Sequence, residues 1–242
     1  FTEYDVKFPS SFGNTIVFEN GGYIYKMDAA SKKPEKVNVT LASDNVYARS
    51  EIKDGSKYIT SASLSPKGER MVVTARGEVF NIPVDKGVTK NITRTPGAHE
   101  RDAQWSPDGK HIAYISDATG ATELYLQEPT QLTKNNDTYI RTFQWSPDSK
   151  KIVYTDRKNR INLLDVSNKQ LTTISQSLLG EARNVSFSPD NNWLTYSRVS
   201  DNNFSIVYVY DIAGKKEYPV TDKWYESYSP VFSTDGKYLV FT

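Results

Sequence analysis

Five copies of one short phrase recur at nearly even spacing along this chain of 242 residues. In each copy an apolar residue comes directly before a Ser-Pro-Asp-Gly-like turn, and the copies occupy residues 64–68, 105–109, 145–149, 187–191 and 232–236. Counted at the leading apolar residue, the intervals are 41, 40, 42 and 45 residues. A period of this length is typical of a propeller or an array of small four-stranded sheets. The spacing therefore predicts a repeat protein.

The residues around each phrase favour strands over helices. Pro sets φ for the second position of a type I turn, and Gly accepts the positive φ that lets the chain double back. A β-rich run follows each phrase, and a third strand comes after it. A short polar fourth strand is expected to end at an apolar residue followed by Thr, at Val39-Thr40, Ile92-Thr93, Leu132-Thr133, Leu171-Thr172 and Val220-Thr221. The predicted fold class is all-β, a β-propeller of four-stranded antiparallel blades.

Six repeat units are visible, and the last is partial. Their approximate bounds are 3–41, 59–93, 100–134, 140–175, 182–222 and 228–242. The first unit lacks the phrase, and Phe8 is its expected leading aromatic residue. An insertion at 42–61 lengthens the first interval, and long loops inside compact repeats are often functional. We expect one propeller domain over 1–242 that is a piece of a longer protein.

Composition limits the partners of this chain. It has 30 basic and 29 acidic residues, so the electrostatic signature of a nucleic-acid-binding protein is absent. No apolar run approaches the 18 residues that span a bilayer, so no membrane partner is expected. The chain has no cysteine, which excludes disulfides and thiolate ligands. We expect a cytoplasmic location, with a periplasmic or secreted one left open.

A search for catalytic residues finds none. The two histidines, His99 and His111, are not accompanied by a Gly-x-Ser-x-Gly nucleophile motif or by a zinc-protease motif. The phrase aspartates Asp108, Asp148, Asp190 and Asp235 recur in four of the five copies, so we assign them to folding. Trp105 and Trp145 are expected to act as wedges between blades. We therefore predict no catalytic residue, no metal and no cofactor in this chain.

Function is expected where the units differ. In a propeller the innermost strand of each blade faces the central channel, so the residues just before each phrase should lie at its mouth. The candidate channel residues in these segments are arginines and aromatic residues, namely Arg49, Arg101, Arg141, Arg183, Tyr47, Trp224 and Tyr225.

These candidates allow two interpretations. In the functional one, the arginines and aromatic rings hold the carboxylates and main chain of peptides, since Arg is suited to bidentate carboxylate contacts. In the structural one, each Arg pairs with an adjacent acid and only solvates the rim, as Glu100 would with Arg101 or Glu181 with Arg183.

Several stretches resemble the second propeller of tricorn-type proteases, and the resemblance runs essentially end to end. The particular ones are Tyr47-Ala48-Arg49, Ala75-Arg76-Gly77-Glu78, Asn91-Ile92-Thr93-Arg94, Asp102-Ala103-Gln104-Trp105 and Tyr218-Pro219-Val220-Thr221. The Ser-Pro-Asp-Gly phrase alone is less specific, because TolB-like and peptidase-lid propellers share it.

The resemblance implies a seven-bladed propeller that guides or sieves unfolded peptides toward a catalytic part outside this chain. It also implies another propeller, a PDZ-like module and a serine peptidase domain in the same polypeptide, and a homo-oligomer. None of the family's catalytic residues has a matching position here. A TolB-like interaction propeller with no peptidase role is the alternative hypothesis.

Overall fold

The computed structural model describes residues 1–42, 51, 54–128, 130–134 and 136–242. These residues form two compact units, Phe1–Lys53 and Asp54–Thr242. Nearly all regular structure is β-strand, and Ser56–Tyr58 forms a single 3-10 turn. Most of the insertion predicted at 42–61 lies outside the described residues. Within the described ranges, no helix has the length and apolar character needed to cross a bilayer.

The first unit contains one four-stranded antiparallel sheet, blade 1. Its strands in spatial order are β1 (Val6–Phe12), β2 (Thr15–Asn20), β3 (Tyr23–Asp28) and β4 (Pro34–Lys36). The expectation that Phe8 leads this unit was wrong. Ser11 pairs with Ile16, the first apolar residue of the second strand, whereas Phe8 lies three residues earlier in a β-bulge at φ 51°. A bulge adds one residue to the strand, which displaced the count made from the sequence.

The second unit contains four sheets of four antiparallel strands and one sheet of two, and in every four-stranded sheet the spatial order follows the chain order. Blade 2 has β5 (Ile59–Leu64), β6 (Arg70–Ala75), β7 (Glu78–Pro83) and β8 (Lys90–Asn91). Blade 3 has β9 (Glu100–Trp105), β10 (Ile112–Ser116), β11 (Glu123–Leu126) and β12 (Thr130–Gln131).

The remaining strands continue the same pattern. Blade 4 has β13 (Ile140–Trp145), β14 (Lys151–Asp156), β15 (Arg160–Asp165) and β16 (Leu171–Gln176). Blade 5 has β17 (Arg183–Phe187), β18 (Trp193–Val199), β19 (Ser205–Asp211) and β20 (Lys216–Pro219). The two-stranded sheet pairs β21 (Val231–Phe232) with β22 (Leu239–Val240). These sheets confirm the predicted all-β fold built from four-stranded antiparallel blades.

The recurring phrase connects the first two strands of a blade through a fixed set of hydrogen bonds. In blade 3 the Gly109 amide donates to the Ser106 carbonyl at 2.9 Å, and the Ser106 hydroxyl donates to Asp108 Oδ1 at 2.6 Å. That hydroxyl also accepts from the His111 amide at 3.0 Å. Gly109 has φ 71°, and the residues at the same position of the other phrases have φ between 62° and 70°. The phrase is therefore a folding device, as the sequence predicted.

In blades 2, 3 and 5 the threonine two residues after the fourth strand also has a structural role. The Thr93, Thr133 and Thr221 hydroxyls accept from main-chain amides of the third strands of their own blades, at 3.1, 2.9 and 3.0 Å. The prediction that the Leu-Thr pair ends this strand was wrong in blade 4, where Leu171 opens β16 instead. In blade 1, β4 ends at Lys36, before Val39-Thr40.

The core lies between blades. Along β10, Ile112 and Tyr114 pack toward blade 2, whereas Ala113 and Ile115 pack toward blade 4. This alternation follows from the two-residue period of a strand with both faces buried. Trp145 is a buried member of the core between blades 3 and 4, which agrees with the predicted wedge.

Candidate functional site

The first strands of consecutive blades approach one another closely in the second unit. The Trp105 amide of β9 donates to Ser63 Oγ of β5 at 3.4 Å, and Gln104 Nε2 donates to the Phe143 carbonyl of β13 at 3.1 Å. Blades of a propeller converge toward the axis, so contacts between first strands mark the inner edge. We call each contact between two neighbouring first strands a seam.

The seam between blades 3 and 4, the closed seam, is held by Arg101. Its guanidinium donates to the carbonyls of Ile140 and Arg141, and it pairs with Asp102 Oδ2 at 2.5 Å. The same guanidinium lies 4.3 Å from the centre of the Tyr139 ring. Only 14% of the Arg101 side chain is exposed. Arg101 therefore joins two blades.

The pairing of Arg101 with Glu100, one form of the structural interpretation, does not occur. Glu100 is 1% exposed, and its Oε1 accepts from the hydroxyls of Thr95 and Ser116 at 2.8 and 2.9 Å. The adjacent acid that pairs with Arg101 is Asp102.

The seam between blades 4 and 5, the open seam, is arranged differently. Arg141, like Arg101, stands four residues before the end of its first strand, but its Nη1 pairs with Glu181 Oε2 at 2.6 Å. Arg183, at this position in blade 5, places Nε 3.5 Å from Glu181 Oε1. The Arg183 side chain is 73% exposed. Glu181 thus bridges two arginines from adjacent blades.

A groove of about 420 Å³ lies along the open seam. Its polar lining comes from both blades, with Thr142 and Gln144 on one side and Glu181, Arg183 and Asn184 on the other. Gln144 is the register equivalent of Gln104, which donates across the closed seam. Among the residues described on β13 and β17, no hydrogen bond joins the Gln144 amide to the opposite strand. The volume falls within the range of small-ligand sites.

β-bulges place the arginines at both seams. In β9 and β17 one extra residue follows Arg101 and Arg183, and Asp102 and Asn184 take φ of 54° and 53°. Asn and Asp tolerate this left-handed region better than most residues. In β13, Arg141 is itself the extra residue of the bulge. Bulges re-aim side chains and are frequent next to functional sites.

Trp224 and Tyr225 are not among the residues that line this groove. Arg49 and Tyr47 lie outside the described residues. Trp224 and Tyr225 lie between β20 and β21 and are 77% and 78% exposed. In the two-stranded sheet, the residue four positions before the end of β21 is Tyr228 instead of an arginine. The Tyr228 phenol donates a hydrogen bond to the Glu226 carboxylate.

Sequence reasoning missed Gln144, Thr142 and Asn184 as groove residues. The sequence did contain a signal for Gln144, because a Gln-Trp pair stands before Ser-Pro-Asp in both blade 3 and blade 4. The positions of the bulges, which bring Thr142 and Asn184 to the groove, have no sequence signature that we identified.

The phrase aspartates have folding roles, and the histidine side chains are exposed. The Ser106 hydroxyl, with smaller contributions from Lys110, holds the pKa of Asp108 below its ordinary value, and Ser188 and Ser233 do the same for Asp190 and Asp235. The side chains of His99 and His111 are exposed, and the His99 amide donates to Asp117 Oδ1 at 2.7 Å.

Fold and inner edge together define a β-propeller of the kind also found in TolB proteins. A TolB structure from Agrobacterium tumefaciens has a TM-score of 0.56 over 76% of this chain and 69% of that chain, at 22% identity. A crystal structure of tricorn protease has a TM-score of 0.70 over 100% of this chain and 24% of that chain, at 20% identity. These likenesses show the fold.

The family follows from the sequence match. The family model for the tricorn protease second beta propeller domain matches residues 59–242, well over half of the chain, so the chain belongs to this family. The tricorn protease of Thermoplasma volcanium is 25% identical over 100% of this chain, and tricorn protease homolog 1 of Streptomyces coelicolor is 22% identical over 95% of it. The chain spans 24% and 23% of the lengths of these two relatives. The predicted resemblance is confirmed.

Proposed function

We propose that this chain is a non-catalytic propeller of a tricorn-like serine peptidase, and that it guides unfolded peptides past its inner edge toward a catalytic domain elsewhere in the protein. The observation that carries the proposal is the repeated arginine of the first strands. Arg101, Arg141 and Arg183 each stand four residues before the end of a first strand, and Arg183 is largely exposed. Family membership supports the same role.

The polar character of the inner edge is consistent with transit of an extended chain. Arg and Gln side chains supply hydrogen-bond donors, which suit peptide carbonyls and carboxylates. The proposal includes contacts with further domains of the same polypeptide and a homo-oligomeric assembly. It assigns chemical catalysis to a serine site outside this chain.

The test compares two substrates in the intact protein. Replacing both Arg141 and Arg183 by Ala is expected to raise KM for a long unfolded substrate about fivefold, a typical effect of losing a partly exposed charged contact. Hydrolysis of a short fluorogenic peptide should stay unchanged. Lys86→Ala, which removes an exposed cation from the loop between β7 and β8, is the matched control. An equal loss on both substrates would contradict guidance.

The alternative function is a TolB-like interaction propeller with no role in proteolysis. The observation that supports this alternative is the likeness of the fold to the Agrobacterium TolB structure. Under this alternative, the double variant processes long and short substrates at the same rates as the unmodified protein.

A further inference from the structure

We propose that the groove at the open seam binds the main chain of an extended peptide that carries an acidic side chain. The inference rests on the proposed function, because it names the class of peptide that the inner edge would recognise. It depends on three features of the groove, which are its unused hydrogen-bonding groups, its bulged edge strand and its charge.

The first feature is a pair of polar groups that the closed seam uses and the open seam does not. In the closed seam, the side-chain amide of Gln104 donates to the Phe143 carbonyl of the next blade at 3.1 Å. The corresponding groups of the open seam are the Gln144 amide and the Val185 main chain, and both line the groove. A peptide carbonyl is the natural acceptor for such an amide donor.

The second feature is the edge of β17. Its pairing with β18 passes from Arg183 to Ser186, so Asn184 and Val185 have no register partner on β18. β17 is also the first strand of its sheet, with its other edge unoccupied by a strand of the same sheet. Unpaired main-chain groups on an edge strand are a template for strand addition, the mode by which extended peptides bind many domains.

The third feature is an excess of one positive charge. Arg141 and Arg183 flank the single carboxylate of Glu181. Arg183 faces Glu181 through Nε. Among the described residues no ion pair uses the two terminal nitrogens of Arg183, and its side chain is 73% exposed. Two parallel N–H groups match a carboxylate in bidentate geometry, so an acidic side chain of the peptide fits here.

The experiment measures fluorescence anisotropy with the intact protein, kept inactive by a covalent serine-hydrolase inhibitor. The probes are a fluorescein-labelled Gly-Val-Glu-Val-Gly amide and the same peptide with Gln in place of Glu. The Glu peptide is expected to bind about fivefold more tightly than the Gln peptide. Arg183→Gln should abolish this preference and leave the affinity for the Gln peptide within about twofold.

The matched pair of glutamines tests the main-chain contact. Gln144→Ala should weaken both peptides about three- to tenfold, as expected for one lost hydrogen bond. Gln104→Ala, at the same register of the closed seam, should leave both affinities unchanged. Equal affinity of the unmodified protein for the two peptides, or equal effects of the two Gln substitutions, would overturn the inference.

The outcomes separate this inference from the proposed function. If the probes do not bind but the double arginine variant still slows only the long substrate, the groove inference fails and guidance stands. If the probes bind as expected and processing of long and short substrates changes equally, guidance fails and the groove remains a peptide site.

Discussion

The closed and open seams have the same arginine and the same glutamine, yet these side chains bond differently at the two seams. The difference begins two residues before the arginine of the following blade. Blade 4 has Tyr139 there, and Arg101 stacks on its ring while bonding the carbonyls beyond it. Blade 5 has Glu181, which draws Arg141 into an ion pair. The aromatic Tyr139 in one blade and the acidic Glu181 in the next thus accompany two different contacts of the arginine, one with main-chain carbonyls and one with a carboxylate beside a groove.

The largest expected effect tests whether the difference between the closed and open seams extends into the apolar cores beside them. Ile152 lies in the apolar core between blades 3 and 4, and Leu194 lies in the core between blades 4 and 5. Replacing either residue by Ala should lower the free energy of unfolding by about 2 to 5 kcal/mol. Both side chains are fully buried. Urea titration followed by tryptophan fluorescence measures the change. A much smaller loss at Leu194 would mean that the open seam is loosely packed throughout.

The second prediction separates the two arginines. Arg101→Ala should destabilise by about 2 kcal/mol, because it removes the hydrogen bonds to two carbonyls and one of the two cation–π contacts on Tyr139. Arg183→Ala should cost less than about 0.5 kcal/mol, since exposed ion pairs contribute little. The same urea titration compares them. Equal losses would show that Arg183 also joins blades.

The third prediction concerns a substitution that should make the open seam resemble the closed seam. Glu181→Tyr should offer Arg141 an aromatic face like that of Tyr139 and stabilise the protein by about 0.5 to 1 kcal/mol, the value of one cation–π contact. It should also remove binding of the labelled Glu peptide. Thermal unfolding and anisotropy measure the two effects. Unchanged peptide binding would show that Glu181 does not set the opening.

The smallest effect concerns acid, which should weaken the ion pairs of Asp137 with Lys158 and Arg160. Hydrogen bonds from Lys158 and then Arg160 lower the pKa of Asp137 to about 2. A lowered pKa in the folded state stabilises the protein above the unfolded value of 3.8, and this contribution is lost as pH falls through the folded value. The stability difference between the unmodified protein and Asp137→Asn should therefore shrink between pH 3.8 and about pH 2 and be lost at still lower pH. A difference that is as large at about pH 2 as at neutral pH would contradict the assignment.

The periodic features of the fold were predictable from sequence, whereas the groove was not. Turn chemistry is local, so the phrase around Ser106 and Asp108 indicated its hairpin directly. The register of the first strands depends on bulges such as those at Phe8 and Asn184, for which we found no sequence signature. Counting along the sequence therefore misplaced Phe8 and gave no indication that Arg101 and Arg183 act differently.

The prediction of candidate site residues was limited for a similar reason. Sequence adjacency suggested that Glu100 pairs with Arg101, but alternation along β9 turns Glu100 inward, where Thr95 and Ser116 bind it. Glu181 does pair with Arg183, since it precedes β17. The proposed channel role of the arginines stays a prediction.

The last residue of the recurring phrase is Ser149 in blade 4 and Asn191 in blade 5, where blade 3 has Gly109. This difference matters for the engineering of repeats. Ser149 Oγ accepts from the Asp108 amide of the preceding blade, and Asn191 Oδ1 accepts from the Asp148 amide, both at 3.0 Å. Gly109, at the same position and the same left-handed φ, has no side chain to reach back. A consensus repeat that averaged these units would install glycine at all such positions. It would match every backbone angle and yet lose these two hydrogen bonds between neighbouring blades.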